Sequence, residues 1–148
     1  FNELVIDLVN PAGQPERMQL VVRGYNDGFA FCYKIPDGKG PCVNVQSELT
    51  AYNFAGDYTA WFYNGENHNI GPEKLTETDG TRLPVMTVKA GDKHYMAIHE
   101  ACLETGAPLV LQSKGGNRSF RSLPSRPVCR RDIHQPGVSF CMGRYLAC

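Results

Sequence analysis

The chain has 148 residues, 42% of them hydrophobic and 20% charged, which suits one domain with a real core rather than a disulfide-stapled miniature. Fifteen basic and fifteen acidic residues cancel, so the chain as a whole carries no field that would draw it to nucleic acid or to an anionic membrane. No apolar run approaches the roughly twenty residues of a membrane span, and the sequence from Phe1 onward shows no signal-like leader, so any export signal is expected to have been removed or never to have existed.

In chain order, Asn2 to Asn10 alternates as a strand, with Leu4, Ile6 and Leu8 on one side, and Asn10-Pro11-Ala12-Gly13 closes it. Met18 to Arg23 and Phe29 to Ile35 flank Asn26-Asp27-Gly28, so they read as a hairpin that stops at Pro36-Asp37-Gly38. Pro41 to Gln46 reads as a short edge strand, and Glu48 to Phe54 and Tyr58 to Tyr63 flank the turn Ala55-Gly56-Asp57. From Asn64 to Arg82 the residues are Asn, Gly, Glu and Thr with little to bury, which predicts a long loop. Val85 to Val88 and His94 to Ile98 then form a second hairpin around Gly91-Asp92, whose residues can supply positive φ, and Ala107 to Gln112 is one more strand. Helix is confined to a turn or two within Ala97 to Thr105. Short strands between turn signals, without any 3.6-period segment, predict an all-β fold, an antiparallel β-sandwich.

Beyond Lys114 the basic residues change type. Residues 115–148 hold six arginines, no lysine and one acidic residue, a charge of +5, against −5 for residues 1–114. The arginines keep no strand or helix rhythm and three prolines interrupt them, so a loop-rich terminus is expected in preference to a nucleic-acid arm. The six cysteines include no Cys-x-x-Cys pair, which disfavours a zinc site, and Cys32 and Cys102 lie in apolar stretches where free thiols behave as small hydrophobes. Structural free thiols are therefore preferred to disulfides.

Chemical motifs are mostly absent. There is no phosphate loop, no Gly-x-Gly-x-x-Gly after a strand and no nucleophile elbow. His99-Glu100 opens like a zinc-protease helix, but Leu103 stands where the second histidine belongs. Asn117-Arg118-Ser119 fits a glycosylation sequon that is common by chance, and a carboxylate pair such as Asp57 with Glu66 has no constrained separation. Two candidate features remain. If the strand from His94 keeps its period of two, Glu100 shares a face with Met96 and Ile98, where an ionised carboxylate needs a cation, an arginine or a metal beside it. The alternative is a strand that ends earlier and leaves Glu100 in water. Trp61, Phe62 and Tyr63, with Asn64 beside them, could stack on a sugar ring; the competing reading is core on alternate faces.

Three ordered motifs resemble a known family. Val22-Arg-Gly-Tyr-Asn-Asp-Gly-Phe-Ala-Phe-Cys-Tyr-Lys-Ile-Pro36 resembles the R-A-Y-N-D-G-V-A-F-R-Y segment of the N-terminal domain of glycoside hydrolase family 97, and Asn53-Phe-Ala-Gly-Asp-Tyr-Thr-Ala-Trp61 and Tyr95-Met-Ala-Ile-His-Glu-Ala101 resemble two further motifs at similar spacing. The family comprises bacterial α-glucosidases and α-galactosidases, typified by the Bacteroides starch-utilisation enzyme. The resemblance implies a β-supersandwich of the galactose mutarotase-like kind that packs on a catalytic (β/α)₈ barrel. It covers residues 1–120, leaving 121–148 as an atypical Arg/Pro/Cys-rich tail that a shifted reading frame or a truncated gene would explain.

A chain of this length cannot hold the barrel, so the resemblance implies a non-catalytic domain with no hydrolase activity of its own and with the missing barrel as partner. It further implies a calcium ion shared with that barrel, Glu100 being the ligand from this side. Calcium takes six to eight oxygens, so the isolated domain is expected to bind it weakly or not at all. Cys32 departs from the family's arginine. A periplasmic or outer-membrane-associated location follows from the family alone. The reading that competes with this one is a stand-alone carbohydrate-binding or structural sandwich.

Overall fold

The computed structural model describes residues 1–12, 17–35, 44–45, 49–65, 69–101, 108–123, 128–129 and 140–147, and among them there is no helix. The strands are β1 (Asn2–Val9), β2 (Arg17–Tyr25), β3 (Gly28–Ile35), β4 (Asn44–Val45), β5 (Ala51–Asn53), β6 (Thr59–Tyr63), β7 (Asn69–Lys74), β8 (Asp79–Lys89), β9 (Tyr95–Glu100), β10 (Val110–Lys114), β11 (Ser119–Leu123), β12 (Val128–Cys129) and β13 (Phe140–Ala147). All pairings are antiparallel. This is the all-β sandwich that the alternating pattern predicts.

The two layers are joined by β8. Its second half pairs with β9 and β6, so one layer runs β1-β2-β3-β13-β9-β8-β6-β7. Its first half, Asp79 to Arg82, pairs with β10 and starts the other layer, β8-β10-β11-β5. The short β4 and β12 pair only with each other.

The core fills the space where the layers overlap. Ala60 and Phe62 from β6, Met86 and Val88 from β8 and Ile98 from β9 meet Leu111 from β10 and Phe120 from β11, with Leu75 and Leu109 closing the ends. All are apolar, those in strands lie on the inward side of a period-two pattern, and their burial is the main term holding the layers together. Phe120 is the centre of an aromatic cluster: its ring centroid lies 5.6 Å from Phe62 and 6.2 Å, edge-on, from Phe54.

Polar side chains fasten the connections. Asp57 accepts from the Thr76 backbone N–H (3.1 Å) and from the Thr76 hydroxyl (3.0 Å), tying the β5–β6 turn to the β7–β8 turn. Asp57 is thus a structural carboxylate, and its imagined partner Glu66 lies outside the described residues. Glu73 accepts from the buried Thr78 hydroxyl (3.0 Å) and from the Arg82 guanidinium (3.3 Å), which also lies over the Phe62 ring. Between β1 and β2, Glu3 pairs with Arg23 at 2.6 Å and holds that guanidinium above its ordinary value through the hydrogen bond and the charge.

Three local expectations are overturned. Residues 64–82 are not one long loop, because β7 and the start of β8 lie within them. β7 is a sheet edge, so only Ile70 and Glu73 face inward enough to be half-buried, and a strand that buries so little leaves no hydrophobic signal. Gly91 and Asp92 do not adopt positive φ. The β8–β9 connection is wider than a two-residue turn, closed by a bond from the Ala90 N–H to the His94 carbonyl (2.9 Å). Residues 97–100 belong to β9 and are not helical; 102–107 lie outside the described residues.

Beyond Lys114 the chain is also strand-forming. β11 supplies Phe120 to the core, and β13 occupies the slot between β3 and β9, with Phe140 opposite Ile35 and Arg144 opposite both Phe31 and Glu100. Asn117, inside the sequon, shapes the β10–β11 turn instead: its amide donates to the Gly115 carbonyl and its oxygen accepts the Ser119 N–H.

Candidate functional site

Glu100 is the last residue of β9, and the strand keeps its alternation to that point. Met96 and Ile98 face the core and Glu100 follows on the same face, half-buried. The reading in which the strand ends early is therefore set aside. The carboxylate is held from the second layer, since its Oε2 accepts the Leu109 backbone N–H at 3.3 Å. On the other side of β9, the register sets Arg144 of β13 directly opposite Glu100. His99 points the other way, with its Nδ1 3.1 Å from the Glu100 carbonyl oxygen.

An ionised carboxylate is a hard oxygen donor that accepts more than one bond. Glu100 therefore suits a hard cation as a single oxygen ligand. It does not make a resident site, because calcium requires six to eight oxygens and no three acidic, histidine or cysteine residues converge among the described residues.

Trp61 and Tyr63 share the outward face of β6, with Phe62 between them in the core. Tyr63 is 44% exposed, while Trp61 is half-buried beside Gly71 of β7. Gly71 has φ +117°, and a Cβ there would come within 2.5 Å of the Ala60 carbonyl oxygen and 3.0 Å of the Trp61 Cα. The glycine lets β7 approach β6 and sets how Trp61 sits. Asn64 follows β6 and is exposed. Glu100 and the Trp61–Tyr63 pair lie on opposite faces of the same layer, so the structure does not bring the two candidate features together. Cys32 is a buried free thiol. The other cysteine side chains lie outside the description.

Sequence reasoning missed Leu109 and Gly71 as partners of these residues. Neither carries a local signal: Leu109 acts through its backbone N–H, and Gly71 sits in a stretch that reads as loop.

The profile described as "Glycosyl-hydrolase 97 N-terminal" matches residues 1–129. This chain belongs to the glycoside hydrolase family 97 N-terminal family. It is 31% identical over 124 residues to a probable retaining alpha-galactosidase of Streptomyces bingchenggensis, covering 82% of this chain and 16% of that protein. It is 32% identical over 114 residues to a retaining alpha-galactosidase of Bacteroides thetaiotaomicron, covering 65% of this chain and 17% of that one. A solved family 97 enzyme from a Pseudoalteromonas species, in complex with acarbose, superposes with a TM-score of 0.74 at 20% identity, over 98% of this chain and 22% of that chain. That likeness shows the fold.

The chain therefore spans about one-fifth of the length of the relatives it matches. Its described residues form a β-sandwich, and the family match is to the N-terminal domain. No described helix is long and apolar enough to cross a membrane.

Proposed function

We propose that this chain is the part of a family 97 glycosidase that packs on the catalytic (β/α)₈ barrel and lends Glu100 to a calcium ion shared between the two. The observation that carries the proposal is the position of Glu100: a half-buried carboxylate at a strand end, oriented by the Leu109 N–H and too poor in neighbouring oxygens to close a site alone. In that arrangement the calcium supplies positive charge to the active site, and this chain's residues hold one oxygen ligand in place. Leu109 fixes the carboxylate's direction, and the β9 backbone sets its depth.

Co-expression of this chain with a family 97 barrel polypeptide tests the reading. The expected result is co-purification, with α-galactoside or α-glucoside hydrolysis that is lost on chelation, and a tenfold or greater rise in the calcium needed when Glu100→Gln is introduced. An unchanged calcium requirement in Glu100→Gln would sink it. Calorimetry of the isolated chain should show no tight calcium binding; a stoichiometric micromolar site would also overturn the proposal.

A second reading is favoured by the exposure of Tyr63 beside Trp61: a stand-alone carbohydrate-binding sandwich in which these residues and Asn64 stack on a glycan. Trp61 is the sole tryptophan, so its fluorescence reports on that surface directly. Unchanged emission on titration with millimolar maltooligosaccharides disposes of this reading. By analogy with the family, the location is periplasmic or outer-membrane-associated, which cell fractionation checks.

A further inference from the structure

We draw no further inference here: the strongest candidate, the apolar cleft of about 450 Å³ walled by Phe29 and Phe31 of β3, Met96 of β9 and, across the gap, β5 and Phe54, carries nothing because nothing in the structure shows what covers it.

Discussion

Phe120 and Phe62 come from different layers, so the energy that couples them measures whether the layers face each other as described. Both are fully buried, with ring centroids 5.6 Å apart and planes inclined by 34°. Truncation to alanine would cost about 3–5 kcal/mol each, a large part of the roughly 5–15 kcal/mol that holds a domain folded, so the gentler Phe62→Leu and Phe120→Leu are the useful variants. Each keeps most of the volume and should cost about 1–1.5 kcal/mol, seen in a chain of this size as a fall in Tm of about 2–4 °C per kcal/mol. The pair contact itself contributes about 0.5–1.5 kcal/mol beyond area burial. The double variant should therefore lose less than the sum of the singles by about that amount. Urea unfolding of the wild type, both singles and the double closes the cycle. Strict additivity, within about 0.3 kcal/mol, would refute the reasoning, because residues in contact do not add.

Other outcomes follow from the same contacts. Glu73→Ala removes the acceptor shared by the buried Thr78 hydroxyl and Arg82, and a loss of about 1–3 kcal/mol in urea unfolding is expected. Gly71→Ala forces a positive-φ residue against the Ala60 carbonyl oxygen, so it should destabilise by more than 1 kcal/mol and alter Trp61 fluorescence; a silent variant would disprove the close approach of β7 to β6. Ser122→Ala should be neutral or stabilising by up to about 1 kcal/mol, since the buried hydroxyl has no hydrogen-bond partner among the described residues, and a clear loss in thermal melting would reveal a partner. Ending the chain after residue 139 removes the strand between β3 and β9, and unfolding in urea should lose cooperativity with a smaller m-value.

Alternation made much of this protein legible without coordinates. Thr59 to Tyr63 alternates buried with less buried positions because that strand has one face to bury, and the sandwich class, most strand positions and the face of Glu100 could be read from the chain. The three family motifs added the type of domain. What failed was local: the Gly91–Asp92 turn is wider than two residues, residues 97–100 are strand, and some strands left no pattern to read. β7 is an edge strand that buries little, and β11 and β13 sit among arginines and prolines whose text reads as loop, so hydrophobic period carries no signal there.

The sequence by itself determined which residues face inward, because period two depends only on backbone geometry and on which side chains avoid water. Tertiary structure alone decided which inward faces meet. It brought the Leu109 N–H to the Glu100 carboxylate, set Gly71 beneath Trp61, and placed Glu100 and the Trp61–Tyr63 pair on opposite faces of one layer. Those relations join strands far apart in the chain through hydrogen-bond register and layer overlap, and no local pattern encodes either.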